Sequence, residues 1–148
     1  DVCAMYRRPI YESLGGFEEK MIFNEDMVMA AKIIQSGYKV AYAAEAKVIH
    51  SHNYSCMQQF KRNFDLAVSQ TDFPQIFEEV KSENEGIRLV KETARYLIRI
   101  RKPWLIFSLV TKSGFKFLGY RLGKKYKKLP GQVIRRCTMN RRYWENNS

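Results

Sequence analysis

Two adjacent carboxylates, Glu25 and Asp26, are the residues of this 148-residue sequence best suited to acid–base chemistry. They precede a segment with helical spacing of apolar residues: Met27, Ala30, Ala31 and Ile34. A carboxylate at a helix start gains about 0.3–1 kcal/mol from the positive end of the helix dipole when exposed. Asn24 or Asp26 is also a suitable helix cap. The pair therefore fits either ordinary capping or a general base that accepts a proton from a hydroxyl group.

The residues around this pair resemble a known enzyme family. Gly15-Gly16-Phe17, a loop that ends at Asn24, and then Glu25-Asp26 resemble the acceptor-side motif of glycosyltransferase family 2 enzymes with the GT-A fold. The segments 37–40 and 43–50 are similar to the same family. Within the family, the run from Cys3 to Asp65 looks most like bacterial rhamnosyltransferase-like members. The resemblance covers residues 1–70, and the tail from 87 to 144 is similar to an extension that some members carry.

The resemblance implies an inverting transfer of a sugar, with rhamnosyl favoured, from a nucleotide-diphospho-sugar donor to a surface glycan or lipid-linked acceptor. Asp26 matches the general base, Glu25 the loop that orients or touches the acceptor, and Gly15-Gly16-Phe17 the acceptor site. A cation, Mg²⁺ or Mn²⁺, would act as a Lewis acid on the leaving diphosphate. Its Asp-x-Asp ligands in the family precede the position of Asp1, so this fragment alone is expected to be inactive.

Four further residues are candidates for the metal or the diphosphate. In some relatives a histidine after the corresponding strand reaches one of these groups, which makes His50 and His52 candidate metal ligands. Neutral imidazole suits Mn²⁺ better than Mg²⁺. Alternation at a strand end places both rings on one side, so the sequence does not choose between them. The alternative is two loop histidines that bond to backbone.

Gln59 and Arg62 partly match the Gln-x-x-Arg-Trp motif of processive relatives and are candidate diphosphate contacts. Asn63 stands where that motif has Trp, which argues against a processive polymerase. Arg62 would pair with the diphosphate or with a carboxylate of the Glu25-Asp26 loop. Its alternative role is that of a solvated arginine on a helix surface.

The pattern of elements predicts an α/β fold, namely the acceptor-side half of a GT-A domain followed by a mostly α-helical basic extension. The predicted domains are 1–70 for the catalytic half, 71–86 for a linker with a short helix, and 87–148 for the extension. Strands are predicted over 2–6, 38–43 and 46–49. Helices are predicted over 8–16, with Pro9 in the first turn, and from 27 to Gly37. A third helix is predicted from Ser55 onward, and its apolar face carries Met57, Phe60, Phe64 and Ala67 or Val68. A fourth is predicted over 87–101, before Pro103.

The charge of the chain is concentrated in its second half. The formal net charge is +11, with −1 over residues 1–75 and +12 over 76–148. Residues 95–148 hold 15 Lys/Arg and a single acidic residue, Glu145, with large aromatic residues between the charges. This combination favours an amphipathic segment on an anionic membrane surface. A solvated helical appendage, with a possible homodimer contact, is the main alternative, and nucleic acid is disfavoured because no recognisable motif is present.

The remaining features concern location. Within 104–120 the longest apolar run is Trp104–Phe107, far short of the roughly 20 residues that span a bilayer. Three distant cysteines, Cys3, Cys56 and Cys137, have no metal-ligand spacing and fit reduced thiols of a cytosolic protein. We therefore expect a cytoplasmic enzyme, peripheral at the inner face of the plasma membrane. The non-enzyme alternative is a membrane- or polyanion-binding module whose acidic turn only caps a helix.

Overall fold

The computed structural model describes residues 3–77 and 82–146, with no side-chain account of residues 82, 83 and 146. The chain divides into two compact units, one up to Asn53 and one from Tyr54 onward. This division differs from the predicted boundary at residue 70, because the helix that begins at Cys56 continues to Asp72 without a break. Each unit is described by itself.

The first unit opens with a short helix that is closed by two glycines. Helix α1 spans Arg8–Ser13, with a proline in its first turn. Gly15 and Gly16 follow with φ of +79° and +69°, in the left-handed region that glycine adopts without strain. The helix predicted over residues 8–16 is therefore confirmed, including the glycines that end it.

Helix α2, Glu25–Gln35, is the second element of this unit and ends before Gly37, which has φ of +83°. Its buried residues are Val28 and Met29, with 2% and 1% of their surfaces exposed. Met27 is 42% exposed and Ile34 58% exposed, so the predicted apolar face is wrong. Met27-Val28-Met29 is a continuous apolar run, and only tertiary packing decides which part of it turns inward.

The segments predicted as strands carry no strand in the parts of the chain that the structure describes. Residues 3–6, 38–43 and 46–49 lack regular secondary structure, and residue 2 lies outside the described ranges. A strand forms only where a second segment completes its backbone hydrogen bonds, and no described segment pairs with these. Tyr42 and Ile49 are almost fully exposed, which fits chain segments without such a partner. The α/β class and the GT-A assignment stay predictions.

The second unit is organised around helix α3, Cys56–Asp72. The Gln58 N–H donates to Ser55 Oγ at 3.3 Å, and the Ser55 N–H donates to Gln58 Oε1 at 2.8 Å. This reciprocal capping box confirms Ser55 as the start of the helix. Phe64, Ala67 and Val68 are fully buried as predicted, whereas Met57 is 53% exposed and lies outside the core.

Helix α6, Leu105–Gly123, packs against α3 through two glycines. A Cβ added at Gly119 would lie 2.1 Å from the Phe60 backbone oxygen, and one at Gly123 would lie 2.4 Å from the Phe64 oxygen. Gly119 faces Phe60 and Gly123 faces Phe64, so the contacts advance in the same direction along both helices, which therefore run parallel. Glycines four residues apart allow this close backbone approach, and the sequence interpretation had missed them.

Two helices, one short and one long, connect α3 to α6. Helix α4, Pro74–Phe77, packs against α3, and helix α5, Ser82–Arg99, packs against α6. These confirm the short helix predicted within 71–86 and the helical segment predicted over 87–101. Arg101 has φ of +57°, and Pro103 precedes the start of α6. The predicted break at Pro103 is therefore confirmed, although the chain already leaves the helix after Arg99.

The carboxyl-terminal segment returns to two acids of α3, the buried Asp65 and the half-buried Asp72. It contains a 3₁₀ turn over Tyr126–Lys128, helix α7 over Gly131–Cys137 and helix α8 over Arg141–Asn146. Asp65 accepts hydrogen bonds from the Thr138 hydroxyl at 2.6 Å and from the Met139 N–H at 2.8 Å. Asp72 accepts a hydrogen bond from Tyr126 and pairs with Lys127 Nζ at 3.2 Å.

Asp65→Asn is expected to flatten the dependence of stability on pH. Burial raises the pKa of Asp65 above its ordinary value of 3.8, against the lowering effect of its hydrogen bonds. The unfolded chain then loses this proton at a lower pH than the folded chain, so stability falls as pH rises upward from about 3.8. Asn at this position has no such proton. Urea unfolding at several pH values measures the slope.

The control for this experiment is Glu19→Gln, an exposed carboxylate of the first unit that should leave the slope unchanged. Asp65→Ala should instead lower stability at every pH, by about 1–3 kcal/mol for each buried donor left without an acceptor. A parental slope in Asp65→Asn would contradict the assignment of the titration to this side chain.

Candidate functional site

Asn24 sets the geometry at the amino end of α2. It adopts the left-handed conformation with φ of +66°, which asparagine tolerates better than most residues, and it is 8% exposed. Its side chain makes no capping hydrogen bond, so the predicted capping by Asn24 is wrong. Its buried amide nitrogen has no hydrogen-bond partner among the described residues. The left-handed backbone at Asn24, without a side-chain cap, therefore leads into the first turn of α2.

The two carboxylates occupy this first turn. Glu25 is exposed and Asp26 is half-buried. Asp26 Oδ1 accepts a hydrogen bond from the Met27 N–H at 2.8 Å. The carboxylate therefore sits at the helix end where backbone N–H groups lack intrahelical acceptors and the dipole favours negative charge. A carboxylate at this place has the chemistry required of a general base.

An aromatic cluster of Tyr6, Tyr11 and Phe17 surrounds the Gly-Gly-Phe turn. The ring centroids are 5.8 Å apart for Tyr6 and Tyr11, 5.6 Å for Tyr6 and Phe17, and 5.2 Å for Tyr11 and Phe17. The Phe17 N–H donates to the Tyr11 hydroxyl at 3.1 Å. A Cβ at Gly16 would lie 3.2 Å from that hydroxyl, so both the conformation and the space favour glycine. Phe17 remains 39% exposed.

Tyr6 connects the aromatic cluster to the carboxylates. Burial raises the pKa of the Tyr6 hydroxyl, and the negative charges of Asp26 and Glu25 raise it further. Tyr6, whose ring centroid lies 5.6 Å from that of Phe17 in the predicted Gly15-Gly16-Phe17 turn, is thus within electrostatic range of Glu25 and Asp26. The sequence interpretation had assigned Tyr6 to a strand and missed it at the site. Aromatic rings beside a few polar groups are the usual lining of a small-molecule site.

His50 and His52 form a separate pair in the first unit. Their ring centroids are 4.2 Å apart with the rings nearly perpendicular, and both side chains are exposed. They lie side by side, as the alternation predicted. Across residues 3–77 and 82–146 no group of three or more His, Cys, Asp or Glu side chains is arranged to hold a metal ion. The pair fits as a partial nitrogen donor set for an ion such as Mn²⁺, and its metal role stays a prediction.

Gln59 and Arg62 lie on the first two turns of α3 in the second unit. The Arg62 guanidinium lies over the Tyr54 ring, 5.6 Å from its centroid, in a cation–π arrangement. The Gln59 carbonyl accepts a hydrogen bond from Asn63 Nδ2 at 2.8 Å. Asn63, which replaces the Trp of the processive motif, thus bonds to its own helix. The diphosphate role of Gln59 and Arg62 stays a prediction.

Two curated relatives match almost the whole chain. The chain is 45% identical over 144 residues, 97% of its length, to the O-antigen chain rhamnosyltransferase WbaN of Salmonella anatum. It is also 45% identical over 144 residues to the O-antigen chain rhamnosyltransferase RfbN of Salmonella typhimurium strain LT2. The chain spans 45% and 46% of the lengths of these proteins. No family model matches the sequence, and no solved structure matches it.

These matches support the rhamnosyltransferase resemblance deduced from residues 1–70. Because 97% of the chain is matched, the basic extension belongs to the similarity as well as the carboxylate site. The matches do not bear on membership of glycosyltransferase family 2 or on the GT-A fold, which stay predictions.

Proposed function

We propose that the intact protein containing this chain transfers a rhamnosyl group from a nucleotide-diphospho-sugar to a growing O-antigen-type surface glycan. In this proposal the chain supplies the acceptor side of an inverting, family 2-like active site. The observation that carries it is the carboxylate pair in the first turn of α2, whose negative charges act on Tyr6, a ring that packs with Tyr11 and Phe17. The 45% identity to two O-antigen rhamnosyltransferases supports the sugar and the acceptor class.

Asp26 acts as the general base in the proposed reaction. An alcohol is a poor nucleophile, so its proton must leave as its oxygen attacks the anomeric carbon. Asp26 takes that proton, the new carbon–oxygen bond forms on the face opposite the leaving group, and the bond to the diphosphate breaks. The nucleoside diphosphate departs with the electron pair. A positioned general base contributes a factor of about 10²–10⁴ to such a step.

The aromatic cluster positions the acceptor for this reaction. Phe17 exposes part of its ring and packs on Tyr6, and the Tyr11 hydroxyl accepts a hydrogen bond from the Phe17 backbone N–H. An apolar face of a sugar ring stacks on such a surface while its hydroxyls reach Glu25 and Asp26. Glu25, which is exposed on the same helical turn, orients the acceptor. Holding the reacting atoms in one geometry lowers the barrier by removing translational freedom.

The donor side of the proposed site involves a divalent cation. When bound, Mg²⁺ or Mn²⁺ neutralises charge that develops on the leaving diphosphate. The family resemblance implies His50 or His52 as contacts for the cation, and Gln59 and Arg62 as contacts for the diphosphate. The main cation ligands are expected from the remainder of a protein with the length of the relatives.

A donor screen with the intact protein tests the proposal. We expect nucleotide release from a nucleotide-activated rhamnose in the presence of a lipid-linked acceptor. The rate should be at least about tenfold above the rates with activated glucose, galactose or mannose, because the ring hydroxyls of these sugars differ and must form hydrogen bonds in the site. Reactions with Mg²⁺, Mn²⁺ or a chelator measure the requirement for a cation. A folded protein that turns over no donor would favour the alternative of a binding module without catalytic activity.

A further inference from the structure

Helix α6 has a second apolar face on the side away from α3. The side chains of this face remain exposed in the part of the chain that the structure describes. Phe107, Val110, Phe117 and Leu118 are 82%, 56%, 45% and 59% exposed. At 100° per residue these four positions fall within about 100° of one another, with Gly114 among them. Gly119 and Gly123, which contact α3, lie on the other side of the helix. A helix that is apolar on both faces normally buries both.

The connection between α5 and α6, which directly precedes Phe107 in the chain, also exposes large apolar residues and cations. Ile98, Ile100 and Trp104 are 61%, 38% and 67% exposed. Exposed cations alternate with them in the sequence: Arg99, Arg101 and Lys102. We call the exposed side of α6 together with residues 98–104 the α6 face.

We propose that the α6 face docks on an anionic lipid surface. From residue 95 onward the sequence contains 15 Lys/Arg and one acidic residue, so a second copy of the chain would bring like charges together. Anionic lipid attracts each nearby Lys or Arg by about 1 kcal/mol. Trp104 beside three cations matches the headgroup level of a bilayer, and the Phe and Leu side chains of α6 match its outer hydrocarbon.

The docking proposal rests on the proposed function in one respect, because a lipid-linked acceptor would lie at the same membrane surface on which the enzyme docks. None of the helices in the described ranges is long and apolar enough to cross a bilayer.

Vesicle co-sedimentation of the intact protein tests the docking. We expect binding to vesicles that contain phosphatidylglycerol, weakening with added salt, and little binding to pure phosphatidylcholine. The double variant Trp104→Ser, Phe107→Ser should bind at least about tenfold more weakly, since binding scales with the apolar area that enters the interface. Tyr42→Ser, Ile49→Ser removes two apolar side chains of the first unit that are even more exposed, and it should bind like the parent.

Tryptophan fluorescence identifies the contacting residue. The emission of Trp104 is the difference between the spectra of the parent and of Trp104→Phe. This emission should shift to the blue on anionic vesicles and be quenched by brominated lipid. The other tryptophan of the chain, Trp144, is half-buried. Without vesicles the same emission should be quenched by iodide. Protection from iodide in the absence of lipid would mean that another segment of the protein covers the face, and it would overturn the proposal.

Two other outcomes would also overturn it. Sedimentation velocity could show a dimer that Phe107→Ser dissociates, which would assign the face to a second copy. A labelled oligonucleotide could bind as tightly as the anionic vesicles and compete with them, which would assign it to nucleic acid. Asp26→Asn should bind vesicles like the parent while the transfer rate falls by about 10²–10⁴-fold, so failure of the docking and failure of the proposed reaction give different results.

Discussion

Gly119→Ala should lower the free energy of unfolding by about 3 kcal/mol or more, at the upper end of the range for overpacked cores. The added Cβ would lie 2.1 Å from the Phe60 carbonyl oxygen and 2.9 Å from the carbonyl carbon. Both atoms belong to the backbone of α3, so no side-chain rotation relieves the contact. The helices must separate, and the packing of the fully buried Phe64, Ala67 and Val68 loosens with them.

Gly114→Ala is the matched control on the same helix. A Cβ at this position meets nothing within 4 Å. Replacing glycine in an exposed helix interior should raise stability by about 0.5–1 kcal/mol, because the unfolded chain loses conformational freedom. The two variants carry the same substitution and should change the urea midpoint in opposite directions. A Gly119→Ala midpoint equal to that of the parent would mean that α3 and α6 do not approach closely.

Features set by neighbouring residues were predicted correctly from the sequence. Ser55 and Gln58 cap each other across three residues, so their types and spacing were sufficient to place the start of α3. Pro9 and Gly37 marked a helix start and a helix end for the same reason. Such signals depend on backbone groups within one helical turn and on no distant partner.

Features that depend on distant residues were missed. Gly119 and Gly123 lie four positions apart, a spacing that indicates close helix packing. The sequence does not show that Phe60 and Phe64 of α3 are the residues they contact. Asp65 interrupts an apolar run and bonds to Thr138, a residue 73 positions away. An acid within an apolar helical face is a usable signal of a buried polar contact, but its partner cannot be read from the sequence.

The candidate site shows the same division. The Gly15-Gly16-Phe17 turn and Glu25-Asp26 were found through their resemblance to a motif. Tyr6 was missed because its environment depends on burial and on the charges of Glu25 and Asp26, 19 and 20 positions further along the chain. Residues 38–43 and 46–49 have strand-like composition, but a strand also requires a pairing segment. The composition of a segment shows that it could adopt a strand, whereas the presence of a pairing segment decides whether the strand forms.

Asp26→Asn in the intact protein should reduce the rate of sugar transfer by about 10²–10⁴-fold, the usual contribution of a general base. Asparagine keeps an oxygen that can accept the hydrogen bond now made from the Met27 N–H at 2.8 Å, so α2 and the aromatic cluster should be undisturbed. Donor binding, measured by calorimetry, should be close to that of the parent because Asp26 acts on the acceptor. Initial rates of nucleotide release measure the loss.

Glu45→Gln is the control for this variant, since Glu45 is an exposed carboxylate of the same unit outside the site and its neutralisation should leave the rate unchanged. Glu25→Gln should raise KM for the acceptor more than it lowers kcat, as expected for a residue that orients the acceptor and takes no proton. An Asp26→Asn rate within about threefold of the parent would remove Asp26 from the role of base, since even a weak base contributes about a hundredfold.

An acceptor with fluorine next to the reactive hydroxyl separates loss of the base from loss of structure. Fluorine makes the hydroxyl more acidic, so less assistance is needed to remove its proton, and the ratio of parent to Asp26→Asn rates should shrink. If Asp26 only shaped the first turn of α2, the misplaced site would slow both acceptors by the same factor. The ratio therefore reports proton transfer itself, which neither the position of the carboxylate beside Tyr6 nor the similarity to rhamnosyltransferases can measure.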